Sequence, residues 1–473
     1  MYFWINIALF IIYCVVVISS VVVVISENKN PIRALSWTLA LLFLPVIGVV
    51  FYLFFGRSLK GKAMVSKKVR RKLLEKSRPK QHSFDNAGLN PDQIKKVKLA
   101  HNLCHAHLDR NNSVEVFTDG KSKFKRMMED IREAKDFIFI QYYIYNDDRL
   151  GNEILDLLAE KVRQGVRVKL LYDHVGSFST SNRFFKRMRS LGIDSHPFFR
   201  VTFRKLANRI NWRNHRKIAI IDGKIGYIGG MNVADRYVEK SKDGRIWRDT
   251  HLRVEGTVIE SMMYSFAIDW NFLRPDADVH PLAVLKCEPK GDVDMQLVTS
   301  GPIDRWNNLV LCFQQAIASA AKRIYIQTPY FLPTDALLKA LQGAALSGVD
   351  VRIMIPEKTD SILLGYGSRS YVDDCLKAGV KVYQYLPGML HAKTMIIDDD
   401  FVTTGSVNFD FRSFENNFEA NLLIYSESFN RKMRDIFFDD VKESRKLTIS
   451  QWKKRSRWER IIEPLVRLFS PIL

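Results

Sequence analysis

Two stretches of the chain, "NHRKIAIIDG" at 214–223 and "LHAKTMIIDD" at 390–399, share one skeleton: histidine, any residue, lysine, four residues, aspartate. The first copy supplies His215, Lys217 and Asp222; the second supplies His391, Lys393 and Asp398. An imidazole can attack phosphorus or carry a proton, and an ammonium can neutralise phosphoryl oxygens. Each copy runs on into a small-residue turn and an asparagine, "GGMN" ending at Asn232 and "GSVN" containing Ser406 and ending at Asn408. The asparagine lies 17 residues after the histidine in both copies. A lone His-x-Lys is ordinary surface sequence, but two full copies at matched spacing are not a chance pattern.

Neither copy is a complete site. One histidine, one lysine and one asparagine give a nucleophile or an acid, plus phosphate donors. Two such sets facing each other give a nucleophile, a general acid and a cage of cations and amides. That suits phosphodiester chemistry, in which positioning and charge stabilisation dominate and no metal or other cofactor is required.

The elements that must hold these groups can also be read. "IAII" and "IGYIGG" form a hairpin turned at Asp222 and Gly223. His215 and Lys217 are two residues apart and so share one strand face. Asp222 and Asp398 belong to the candidate catalytic set, but their odd spacing beside the turn suits structural support better than reaction. Gly229 and Gly230 would let a phosphate approach the backbone, and Asn232, Ser406 and Asn408 are candidate substrate-binding residues.

The surrounding chain repeats as well. "KDFIFIQYYIYNDD" (135–148) parallels "AKRIYIQTPYFLPTD" (321–335), and "LLAEKVRQGVRVKLLYD" (157–173) parallels "ALQGAALSGVDVRIMIP" (340–356). The pattern predicts an α/β fold of two duplicated units about a pseudo-two-fold axis, spanning 96–285 and 286–450.

Ahead of them, 2–26 and 34–56 carry no charge, and a seven-residue link makes them a transmembrane helical hairpin over 1–56. A basic linker, 57–95, follows; its Lys and Arg place it and the catalytic units on the cytoplasmic side. Residues 451–473 mix Trp, Ile, Leu and Phe with Lys and Arg, an interfacial amphipathic tail, with a core-docking helix as the alternative. In "HPFFRVTFRKLANRINWRNHRK" (196–217), aromatic and basic residues interleave, which predicts the mouth of the site.

The net charge of +21 suits a polyanion, either nucleic acid or an anionic membrane. Five scattered cysteines with no CxxC pair argue against a disulfide framework. His101, Cys104, His105 and His107 look like metal ligands, but no second group sits at finger-like spacing, so a polar helix is expected there.

These motifs resemble those of the phospholipase D superfamily, with paired HxKxxxxD skeletons and trailing glycine and asparagine. "WTLALLFLPVIGVVFYLFFGR", "INWRNHRK", "TPYFLP" and "RSFENNFE" resemble stretches of bacterial cardiolipin synthases, and the resemblance covers nearly the whole chain. It implies transfer of a phosphatidyl group between two phosphatidylglycerols through a phosphohistidine, giving cardiolipin and glycerol. The implied partners are anionic phospholipids rather than nucleic acid, at the bacterial inner membrane, with the oligomeric state open. Hydrolytic phospholipase D, another phosphatidyltransferase, a tethered nuclease or a non-enzymatic scaffold are the alternatives. In the superfamily an acidic residue on a later strand hydrogen-bonds each imidazole. The resemblance pairs Glu419 with His391 and Asp249 with His215, although the gap from Asn232 to Asp249 is six residues longer than that from Asn408 to Glu419. His215, beside Arg216, is expected to be the nucleophile, and His391, with Glu419, the acid.

Overall fold

The computed structural model describes residues 2–27, 31–52, 88–200, 212–240, 244–274 and 287–471. Residues 57–87 of the basic linker and 201–211, half of the aromatic-basic stretch, lie outside the described residues.

One 16-stranded sheet organises the catalytic region, and its strand order carries the duplication. From the centre outward, the first half runs Asp109–Phe117, His251–Glu255, Ile225–Gly229, Ile218–Ile221, Phe137–Tyr142, Arg167–Asp173 and Asp194–Phe198. The second half runs Val293–Ser300, Asn417–Tyr425, Phe401–Gly405, Thr394–Ile397, Arg323–Gln327, Asp350–Pro356 and Lys381–Tyr385, with Ser444–Lys446 added at its edge. The halves join where Asp109–Phe117 pairs antiparallel with Val293–Ser300. Both quoted echoes fall on equivalent strands and helices, as the repeat predicts.

Helices cover both faces. Arg149–Arg163 and Asp335–Leu346 each precede a buried strand that pairs in parallel with the strand before the helix, the crossover unit of α/β sheets. On the opposite face Val258–Leu273 and Glu427–Lys442 pack a single apolar cluster that includes Phe266, Trp270, Phe429 and Phe437 and spans both halves. That shared core fixes one half against the other, which a composite site requires.

His101, Cys104, His105 and His107 lie on and just beyond the helix Pro91–Cys104, whose C-cap His105 is left-handed at φ 58°. At the N-terminus Tyr2–Val24 is apolar and long enough to cross a bilayer. The second apolar run is not one continuous helix within the described residues. It forms Pro31–Phe43 and Pro45–Phe51, broken at Leu44. Pro45 has no N–H to donate and disfavours helix at the residue before it, so a new helix starts there. Val24, Leu41 and Tyr52 pack together and hold the two runs against each other.

Candidate active site

The two skeletons meet where the halves cross. Arg213–Asn214, leading into His215, pairs in parallel with Asn417 and Phe418, leading into Glu419. Gly388–Leu390, leading into His391, pairs in parallel with Ile246–Arg248, leading into Asp249. The backbone N–H of His215 donates to Phe418 O at 2.9 Å, and that of His391 to Arg248 O at 2.6 Å.

This register exchanges the acidic partners that the resemblance assigned. His215 Nδ1 lies 2.9 and 3.0 Å from the two oxygens of Glu419, and His391 Nδ1 lies 2.6 Å from Asp249 Oδ2. Each imidazole is thus held by the carboxylate of the other half. With Nδ1 committed to a carboxylate, Nε2 is the nitrogen left for chemistry.

Burial dominates the electrostatics. It pushes His215 down to about 4, against the opposing pull of Glu419. It drives His391 well below the ordinary imidazole range, helped by the charge of Lys393. It also depresses Lys217 strongly, and Lys393 to about 8. The two carboxylates diverge. Burial would raise Glu419, but the His215 imidazole, Lys217 and a 2.5 Å hydrogen bond from Ser406 Oγ outweigh it and hold the carboxyl below its usual value. At Asp249 burial wins over the pull of Lys393 and the Thr250 N–H, and the carboxyl rises to about 6.

The lysines are buried beside their histidines. Lys217 Nζ donates to His215 O at 2.6 Å; Lys393 Nζ donates to His391 O and lies 2.9 Å from His391 Nδ1. The motif aspartates do not reach the reacting groups. Asp222 accepts the N–H groups of Lys135, Asp136 and Phe137 at 2.8–2.9 Å, and Asp398 those of Ala321, Lys322 and Arg323 at 2.7–2.9 Å. Both are left-handed, at φ 51° and 47°, a conformation aspartate tolerates in turns. They clamp the start of the neighbouring strand and are supports, not catalytic groups.

Three substrate-side readings change. Ser406 spends its hydroxyl on Glu419 and accepts the Ala420 N–H at 2.9 Å, so it orients an acid rather than a phosphate. A side chain at Gly230 would put Cβ 2.1 Å from Asp249 Oδ1, and one at Gly229 would meet His251 Cα at 2.5 Å; these glycines make room for protein groups. Asn232 donates to the Tyr237 hydroxyl at 2.9 Å and accepts the Ile144 N–H at 3.1 Å. Asn408 is buried, and its Oδ1 has no hydrogen-bond partner among the described residues. Arg216 points to the other face and pairs with Asp269 at 2.6 Å, so it does not set the charge at His215.

Sequence reasoning missed the aromatic walls. Tyr143 meets His215 edge-on at 4.8 Å between ring centres, and Trp247 and Tyr237 lie 5.2 and 5.8 Å from His391. Tyr143 sits in the repeated "IQYYIY" stretch, a signal that was available; Trp247 and Tyr237 sit in the longer first-half insertion, which has no counterpart to compare.

The chain matches the family model for the phospholipase D-like domain of cardiolipin synthase over residues 127–266 and 313–441, and that for the phospholipase D-nuclease N-terminal segment over 9–57. It is 40% identical to the major cardiolipin synthase of Bacillus subtilis strain 168, covering 97% of both chains. The chain belongs to the cardiolipin synthase family. A cardiolipin synthase from Listeria welshimeri is 39% identical, covering 96% of both chains. The fold also matches the phosphatidylserine synthase of Haemophilus influenzae, with a TM-score of 0.60 at 15% identity, covering 80% of this chain and 98% of that one. As a cardiolipin synthase the chain is a membrane-associated phosphatidyltransferase, and the duplicated fold expected from sequence is the one observed.

Proposed function

We propose that the two crossed half-sites form one active centre that moves a phosphatidyl group from one phosphatidylglycerol to another. His215 Nε2 attacks phosphorus, and the bond to the glycerol oxygen breaks. His391 delivers a proton to that oxygen, and free glycerol leaves. The terminal hydroxyl of a second phosphatidylglycerol then gives its proton to His391 as its oxygen attacks the phosphohistidine. The P–N bond breaks and cardiolipin forms. Lys217 and Lys393 face the phosphoryl oxygens, and a phosphodiester anion between them restores the ammonium charge that burial disfavours.

The observation that carries this reading is the crossed pairing, together with the contrast between its acids. An ionised Glu419 holds the proton of His215 on Nδ1 and leaves a lone pair on Nε2. Asp249, raised to about 6, holds a proton for the His391 pair to higher pH than an ordinary carboxyl would. These replace the sequence grounds for making His215 the nucleophile. The catalytic region is proposed to lie on the cytoplasmic side, with both apolar N-terminal segments in the membrane.

The test is purified full-length enzyme in phosphatidylglycerol vesicles with product analysis. Cardiolipin with an equal amount of free glycerol is expected; phosphatidic acid alone would make the enzyme a hydrolase.

A further inference from the structure

The C-terminal helix Arg457–Arg467 is turned inside out. Its acidic side chains and Arg467 face the protein, while Arg457 and Arg460 are exposed. Glu463 is fully buried between Arg369 at 3.1 Å and Arg455 at 3.0 Å, Glu459 pairs with Arg369 at 2.6 Å, and Arg467 pairs with Asp374 at 2.7 Å. Most of its apolar side chains, and those just after it, face outward: Trp458 and Leu468 are about three-quarters exposed, and Ile461, Leu465 and Phe469 more than half. Val466 is buried and Ile462 half-buried against the protein, so the helix docks through these and its charged pairs while most of its apolar side stays outward. Ile362 and Leu363, exposed at the start of the adjoining helix Ile362–Arg369, continue the same kind of surface.

We propose that this face is a membrane-docking surface that seats the catalytic region on anionic lipid. The charge around it selects the occupant. Lys453, Lys454, Arg457 and Arg460 are exposed, while both acids of the helix are turned inward and paired. Basic groups rimming an apolar face complement an anionic bilayer and repel a second copy of this basic chain. Position points the same way. Asp360, two residues before Ile362, accepts the Tyr330 hydroxyl, and its charge acts on His391 and Lys393. The docking face rests on the lipid reading above for its occupant, but lipid contact is measurable without turnover, so the two can fail separately.

The experiment uses full-length enzyme in vesicles of phosphatidylglycerol and phosphatidylcholine, with a photo-crosslinking phenylalanine at Leu465 or, as control, at exposed Glu160. Lipid adducts at 465 should exceed those at 160 by about tenfold or more. Adducts to a second copy of the chain, or no excess over 160, would overturn the proposal. In parallel, Ile461→Asp with Leu465→Asp should lower turnover of vesicle phosphatidylglycerol about tenfold and leave turnover of a short-chain, water-soluble phosphatidylglycerol unchanged. Equal rates in both assays, or equal losses, would count against it.

Discussion

His215 and Glu419 are 204 residues apart in sequence, and Nδ1 of one lies 2.9 Å from Oε1 of the other. The bond joins the nucleophile candidate of the first half to the acid of the second, and His391 with Asp249 completes the exchange. Neither half can orient its own imidazole. Glu419→Gln keeps the shape and removes the charge, so kcat should fall by about 10³-fold or more, as when an acid that fixes a catalytic tautomer is neutralised. The thermal midpoint should move little. A loss of activity that only tracks unfolding would remove the orienting role.

Ser406 and Gly230 occupy equivalent turns yet treat their acids differently. Ser406→Ala removes one hydrogen bond to a charged group and should cost about 1.5–3 kcal/mol of transition-state stabilisation, read as lower kcat/KM. Gly230→Ala should displace Asp249 and damage the proton-carrying pair more severely. If both variants keep full activity, the turns are not part of the orienting machinery.

The pH dependence follows from burial. Lys393 is depressed to about 8, so its ammonium is lost as pH rises through that value. His215 is depressed to about 4, so its lone pair is lost only as pH falls through that value. On a soluble substrate kcat/KM should therefore hold down to about pH 4, decline above about pH 6 as the Asp249–His391 pair loses its proton, and fall further above about pH 8. Lys393→Arg should slow the enzyme and push the alkaline limb upward, because a guanidinium stays charged. An unchanged alkaline limb would detach it from Lys393.

Asp222 and Asp398 each collect three backbone N–H groups at the far end of the hairpin from its histidine. Replacing either by Ala should destabilise its half by about 1–3 kcal/mol. The pH profile of the surviving folded enzyme should keep its shape. A changed profile with unchanged stability would return these aspartates to the catalytic set.

Local features were legible from sequence because they are local. The Asp222–Gly223 turn, the strand face shared by His215 and Lys217, and the duplicated helix–strand units are set within a few residues of themselves. The exchange of Glu419 and Asp249 was not legible. It depends on two short parallel bridges, Arg213–Asn214 with Asn417–Phe418 and Gly388–Leu390 with Ile246–Arg248, and long-range register leaves no mark on spacing. The same holds for Ser406: its type fits a phosphate donor, and only the fold shows its hydroxyl aimed at Glu419. The outward face of Arg457–Arg467 depended on which charged side chains found partners, a matter of tertiary packing.

The most direct measurement is to trap and map the phosphatidyl-enzyme in His391→Ala and His215→Ala, with a phosphatidyl ester whose leaving group needs no proton. The His391→Ala enzyme should accumulate a covalent adduct on His215 Nε2 and release it slowly, and the His215→Ala enzyme should form none. An adduct on His391 in the His215→Ala enzyme, or no adduct in either, would contradict the account.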